Sequence, residues 1–309
     1  MNELQQQSKA EISTALLMNW AQFVDASPKT VETYTKAIKR FAEYTAERGI
    51  TQPQRADILS YRDFLRENYK PATVQGYMAA VKLFFTWTET EGTYPNIAAH
   101  IKGAKIEEGH KKDYLTTHQA ANLLKSVDRD SLKGKRDFAI LALMLTTGLR
   151  TVSVIRADIG DIGTRGDSAV LYYQGKGRDE KSEYVKLSLE VEAAIREYLK
   201  ARGENRAEEP LFASISNHNG GGRMTTRSLS RLAKDHLKDS GIDSERVTAH
   251  SLRHTAATLN LKNGASLEET QQLLGHRSIN TTMIYAHALE RESNNSENRI
   301  SAAIFGYAG

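Results

Sequence analysis

Apolar residues recur at helical spacing along most of the chain, and they fall into two sections with different patterns. In residues 4–24, Ile12, Leu16, Trp20 and Phe23 lie three or four apart, which predicts a helix buried along one face. Ser27 followed by Pro28 marks a second start. A serine oxygen can accept from a free amide of the first turn, and proline's fixed φ suits the first helical position. Val31, Tyr34, Ile38 and Phe41 carry that helix to a stop at Gly49. A shorter helix follows over 57–68 with Ile58, Tyr61 and Leu65, and a fourth opens at Pro71 with a broad stripe of Val74, Tyr77, Val81, Phe84 and Phe85. Four helices with short connections predict a small all-α domain over 1–104 whose aromatic residues pack its core.

Residues 105–113 are polar, charged and poor in apolar side chains, and read as a linker to a second domain over 114–309. There a helix over 115–127 precedes 136–146, which is apolar almost all round and so predicted to be buried; it ends at Gly148 and delivers Arg150. Residues 169–173 and 182–187 read as two strands joined through Gly175-Lys176-Gly177-Arg178, hairpin chemistry that puts Lys176 at a mobile tip. Next come a helix over 189–200, a glycine-rich connection over 217–222 read as flexible, and a basic amphipathic helix over 226–238 with Arg227, Arg231 and Lys234. A helix over 251–262 stops at Gly264, and the Ser266 and Glu269 pair then forms a capping box for a short helix buried through Leu267, Leu273 and Leu274. Gly275 ends that helix, and Asn280 caps one that carries Tyr285 beside Met283 and Ile284. The expected fold is mainly α: a four-helix domain, then an α+β domain with a small antiparallel sheet. The tail passes from a polar run over 293–297 to apolar Ile300, Ala303, Ile304 and Phe305, the pattern of a tethered anchor.

Composition sets looser bounds. Of the 309 residues 39% are apolar, enough for a buried core, and none is cysteine, which excludes disulfides and thiolate metal sites. No run is long and apolar enough to span a bilayer, and residues 1–7 are polar, so the expectation is a soluble, cytoplasmic protein. The net charge of +4 divides evenly, with 15 basic and 13 acidic residues through Lys112 and 27 and 25 after it. A nucleic-acid footprint must then come from the placement of charge, with Lys29, Lys36, Lys39, Arg40, Lys70 and Lys82 as candidates in the first domain.

The candidate chemistry gathers in His250-Ser-Leu-Arg253-His254, Leu-Leu-Gly275-His276 and Met-Ile-Tyr285. His250 and Arg253 are three apart on a predicted helix and so face one target. His250 and His254 have the spacing of a zinc-binding helix, but the glutamate of that motif is missing and Arg253 would stand beside the cation, so no metal is expected. With Thr147-Gly148-Leu149-Arg150 and Gly175-Lys176-Gly177 upstream, the order Arg, Lys, His, Arg, His, Tyr resembles the catalytic core of the tyrosine recombinases, or phage-type integrases. The resemblance covers nearly the whole chain. Taken singly, each residue has a plain explanation as a solvated arginine, a turn lysine or a packed tyrosine; the complete set in that order and spacing does not.

A tyrosine can cut a phosphodiester without metal, nucleotide or cysteine. Its phenol, with an ordinary pKa near ~10, must be activated at attack, and the departing 5′ oxygen must receive a proton. Two arginines can hold the non-bridging oxygens of the pentavalent transition state, and Arg150 and Arg253 suit that need. The resemblance implies the other roles. Tyr285 becomes a 3′-phosphotyrosine, Lys176 is the general acid, His250 assists proton transfer and His276 hydrogen-bonds the phosphate, with no cofactor. His254 is implied only as support. The resemblance further implies a SAM-like core-binding first domain, a C-shaped clamp on double-stranded DNA with inverted core sites, and four copies acting on two duplexes through a Holliday junction. The tail would link those copies for integration, excision or resolution of DNA, and the resemblance leaves accessory proteins open. With 26 residues before Ser27, no arm-binding domain is expected ahead of the first helices.

One departure stands. The family commonly places glutamate three residues after the first arginine, where this chain has Ser153. Two other functions share part of the pattern: a type IB topoisomerase, which would cleave DNA lacking a paired site, and a DNA-binding regulator with a vestigial site, which would form no covalent adduct.

Overall fold

The computed structural model describes residues 14–105, 113–175, 178, 180–203, 206–217 and 219–306. The chain divides into two compact units, Met1–Glu108 and Gly109–Gly309. The expected linker falls mostly on 106–112, and the expected start of the first helix on 4–13, both outside the described residues.

The first unit is built from α1 (Thr14–Phe23), α2 (Pro28–Glu47), α3 (Arg55–Asn68) and α4 (Pro71–Thr90). The Ser27 side chain accepts from the Thr30 amide and Pro28 takes the first helical position, as the sequence predicts; such a cap contributes about 1 kcal/mol. Trp20 meets Phe84 edge-on at 5.7 Å, and Phe41 meets Tyr61 at 5.0 Å and Phe85 at 5.8 Å. All five rings are buried, so they hold the helices together instead of offering a platform to nucleic-acid bases. Two of the candidate phosphate-binding cations are engaged within the unit. Lys29 pairs with Glu32 at 2.7 Å, and Arg40 pairs with Glu43 at 3.1 Å while lying over the Phe64 ring.

The second unit runs α5 (Thr117–Lys125), α6 (Leu132–Thr147), α7 (Thr151–Arg156), β1 (Ile162–Arg165), β2 (Ser168–Tyr173), β3 (Glu183–Lys186), α8 (Leu189–Arg202), α9 (Thr226–Asp239), α10 (Ala249–Lys262), α11 (Leu267–Leu274), α12 (Asn280–Ser293) and α13 (Ser296–Phe305). Its centre is α6, where Ile140, Leu141 and Leu143 are fully buried and the helix packs against α8 and α10. That is the fate of a segment apolar on nearly every side. The sheet is antiparallel in the order β1-β2-β3, with Leu171 opposite Val185 and Tyr173 opposite Glu183. On α9, Leu229, Leu232, Ala233 and Leu237 are buried; Lys234 donates to the Ser244 carbonyl at 2.6 Å, and Arg227 and Arg231 are exposed.

Three details differ from the sequence reading. Both β1 and α7 are additional elements, because Ile-Gly-Thr-Arg is too short to show alternation and a six-residue helix too short to show periodicity. The glycine-rich connection read as flexible closes on itself, with the Ser214 amide donating to the Gly222 carbonyl at 2.7 Å and the Gly221 amide to the Ser214 carbonyl at 2.8 Å. Asn280 is the first residue of α12 and not its cap; Ile279 holds that place without a side-chain acceptor.

The two ends of this unit are tied together. Tyr114 donates its hydroxyl to Glu292 Oε2 at 2.6 Å, and Lys262 Nζ donates to the Tyr114 oxygen at 2.8 Å and to Glu292 at 3.0 Å. Beyond Glu292, α13 presents Ile300, Ile304 and Phe305 to solvent at 59%, 64% and 73% exposure. No helix among the described residues is long and apolar enough to cross a membrane.

Candidate active site

Gly148 ends α6 in the left-handed conformation, φ 64°, which glycine adopts without strain. The turn is also crowded, since a Cβ there would lie 2.7 Å from Leu274 Cδ2. The chain then passes through buried Leu149 to Arg150, whose extended backbone starts α7. On α10, Arg253 is 3% exposed, and its guanidinium donates to the carbonyls of Gly148 at 2.6 Å and Leu274 at 2.7 Å. Those carbonyls end α6 and α11, where the helix dipole favours a cation. Arg253 therefore joins the turn that carries Arg150 to the turn that carries His276. Burial, and then the charge of Arg150, lowers the Arg253 pKa to about 10, which leaves it protonated at neutral pH.

At the end of α11, Gly275 is likewise left-handed, and His276 follows. His276 Nδ1 lies 2.8 Å from Oγ1 of Thr282, a fully buried hydroxyl on α12. With Nδ1 engaged, Nε2 is the nitrogen that can meet a substrate oxygen. Burial, followed by the charges of Arg253, Arg150 and His250, pushes the His276 pKa down to about 4. The imidazole is neutral at pH 7, so it contributes a hydrogen bond and no charge.

Tyr285, 6% exposed, stands among histidines on α12. Its ring is within 5° of parallel to His276 at 6.5 Å between centroids, and His254 meets it edge-on at 5.2 Å. His254 in turn meets His250 edge-on at 4.6 Å. Burial raises the Tyr285 pKa, while Arg253 and Arg150 oppose the rise. The phenol is protonated at rest, and two cations act in favour of its phenolate.

Five of the predicted residues, Arg150, His250, Arg253, His276 and Tyr285, thus act on one another in a single locus. Lys176 lies outside the described residues, although its neighbours Gly175 and Arg178 are joined by an amide-to-carbonyl hydrogen bond of 3.3 Å. Ser153, at the place of the family's glutamate, is buried and donates to the Gln174 carbonyl at 3.3 Å. The sequence reading missed Thr282, because a threonine six residues after a histidine has no recognised spacing. It also left His254 without a place, and the structure sets that ring between His250 and Tyr285.

Two family models match the chain: the phage integrase family over residues 113–292 and the phage integrase N-terminal SAM-like domain over 17–93. Tyrosine recombinase XerD of Listeria monocytogenes serotype 4b (strain F2365) is 29% identical over 270 residues, 84% of this chain and 88% of that protein. Tyrosine recombinase XerC of Pelobacter propionicus is 30% identical over 266 residues, covering 84% of this chain and 85% of that protein. In fold the chain resembles the XerH site-specific recombinase solved in a post-cleavage complex with palindromic difH substrate, with a TM-score of 0.72 at 21% identity over 92% of this chain and 85% of that one. It also resembles a lambda integrase solved as a tetramer bound to a Holliday junction, with a TM-score of 0.67 at 18% identity over 88% of this chain and 76% of that one. Since the first model alone spans more than half of its length, the chain belongs to the phage integrase family, as an Xer-like tyrosine recombinase, an enzyme of site-specific DNA recombination.

Proposed function

We propose that this recombinase cuts DNA with Tyr285 and rejoins the cut strand to a strand from another site. The phenol oxygen attacks the scissile phosphorus, the bond from phosphorus to the 5′ oxygen breaks, and the 3′ phosphate stays on Tyr285. His250 assists removal of the phenol proton, and Lys176 protonates the departing 5′ oxygen. Arg150 and Arg253 hold the non-bridging oxygens, and neutral His276 adds a hydrogen bond from Nε2. The phosphotyrosine conserves the energy of the broken ester, so a 5′ hydroxyl from a second strand reverses the steps without ATP. One observation carries this reading: Tyr285 lies against the His254 and His276 rings, and its phenol is kept protonated by burial while Arg253 and Arg150 favour the phenolate.

The proposed substrate is double-stranded DNA with inverted core sites. Four copies would act on two duplexes through a Holliday junction, with the work done on cytoplasmic DNA. The lambda integrase tetramer on a junction supports that assembly. So does α13, whose exposed Ile300, Ile304 and Phe305 offer an apolar face that a neighbouring copy can cover.

A nicked suicide substrate, from which the cut fragment diffuses away, tests the proposal. The wild-type chain is expected to form a denaturant-stable adduct, equally well in a strong chelator. Tyr285→Phe is expected to bind the same DNA and form none. An adduct that persists in the variant, or cleavage restored only by a divalent ion, overturns the reading.

A further inference from the structure

The two oxygens of the Glu183 carboxylate reach two glycines that belong to different turns. A Cβ built on Gly175 would lie 2.6 Å from Glu183 Oε1, and a Cβ built on Gly275 would lie 3.0 Å from Glu183 Oε2. Gly175 immediately precedes Lys176, and Gly275 immediately precedes His276. One carboxylate thus packs on the backbone of both turns that lead into proposed functional residues, and neither turn can accept a side chain at that point without displacing it.

Two further groups hold the carboxylate there. Arg178 Nε lies 2.8 Å from Glu183 Oε1, so the anion is paired across the β2–β3 turn. Tyr173, its cross-strand partner, is 4% exposed, and its hydroxyl lies 2.8 Å from the same position beside Gly275. The Tyr173 pKa rises to about 12, by burial and then by its hydrogen bond to Glu183. This placement is not one that the helix itself favours, because Gly275 caps the C-terminal end of α11, where the dipole repels an anion. The Ser153 hydroxyl meets the Gln174 carbonyl, one residue before Gly175, so position 153 brings no charge to the junction.

We propose that Glu183 is a positioning residue for strand cleavage: its carboxylate clips Gly175, at the entry to the β2–β3 turn, to Gly275 at the end of α11, and so serves the protonation of the leaving oxygen that is assigned to Lys176. The carboxylate that position 153 lacks comes instead from β3. This inference rests on the phosphotyrosine reading above.

The test compares Glu183→Gln and Glu183→Ala with the wild-type chain on two suicide substrates. One has an ordinary scissile phosphate; the other carries sulfur in place of the 5′ bridging oxygen. A thiolate, with a pKa near ~8.5, leaves without help from an acid, so a displaced general acid is not felt on the sulfur substrate. On the ordinary substrate Glu183→Ala is expected to cleave on the order of 10²-fold more slowly, the effect of misplacing a catalytic group by about 1 Å. On the sulfur substrate it is expected to match the wild type, with unchanged DNA binding. Glu183→Gln, which keeps the size and one hydrogen-bonding oxygen, is expected to recover part of the loss, and it carries the comparison if the alanine variant fails to fold. Equal losses on both substrates, or no loss on either, overturn the proposal. A wild-type chain that forms no adduct at all would instead sink the phosphotyrosine reading, so the two failures are distinguishable.

Discussion

The guanidinium of Arg253 donates to the carbonyl of Gly148, two residues before Arg150, at 2.6 Å. One arginine of the site therefore fixes the turn that presents the other, and the two should respond differently to removal. Arg253→Ala strips charged donors from two helix-end carbonyls, each such bond being worth roughly 1.5–3 kcal/mol, and is expected to lower stability by about 2–3 kcal/mol. Arg150→Ala removes a like charge from beside Arg253, so its melting temperature is expected to hold or rise. Both variants should lose adduct formation by on the order of 10²-fold or more. Calorimetry beside suicide-substrate trapping measures the contrast, and equal melting temperatures would refute it.

His276 should remain neutral where an ordinary histidine titrates. Its pKa is about 4 in the folded chain against 6.5 for an ordinary histidine. Between those values the unfolded chain binds a proton that the native chain refuses, so stability falls as the pH is lowered through that window and is unaffected above it. In NMR the His276 Cε1–H resonance is expected to stay fixed from about pH 8 to 5.5 and to move near 4. A midpoint close to 6.5 would mean that the imidazole is solvated and not held neutral by burial and the two arginines.

A buried ion pair away from the tyrosine should matter for stability alone. Asp137, 1% exposed, accepts from Arg136 Nη2 at 2.7 Å and faces His236 Nε2 at 3.1 Å, which ties α6 to α9. Asp137→Ala leaves Arg136 buried without its counter-charge, at an expected cost of about 3–5 kcal/mol. Breaking the exposed Lys29–Glu32 pair should cost about 1 kcal/mol or less. Urea titrations of both variants give the comparison, and similar small losses would show the buried pair to be no stronger than the exposed one.

Truncation after Glu297 removes the apolar face of α13. The shortened chain is expected to bind one DNA arm as the parent does, with weaker cooperative occupancy of the second arm and slower strand exchange. Gel-shift titrations and recombination assays read both. Unchanged cooperativity with recombination at the parental rate would leave those side chains without a partner in a neighbouring copy.

The reach of the sequence depended on the kind of pattern each feature left. Ser27 and Pro28 named the start of α2, and Ser266 with Glu269 named the start of α11, because caps are local chemistry. Arg150, Arg253, His276 and Tyr285 were legible as ordered motifs, with the glycines before Arg150 and His276 already fixing their turns. What stayed hidden were relationships across elements. Thr282 acts through a ring on the preceding turn, and Glu183 reads as an ordinary strand residue until its register opposite Tyr173 is known. Short pieces were lost as well, since β1 and α7 have too few residues for either period to emerge.

The contact of Tyr114 with Glu292 joins residues 178 apart in sequence. It makes the catalytic unit almost a closed ring of chain, with its entry and exit side by side on the surface. A ring can be opened elsewhere. Joining the two ends through a short linker and placing new termini in the exposed 219–221 turn would give a circular permutant with the same neighbours around Tyr285. In the natural order, Lys262 on α10 meets both Tyr114, at the start of this stretch, and Glu292, near the end of α12, and so ties both to the body of the unit.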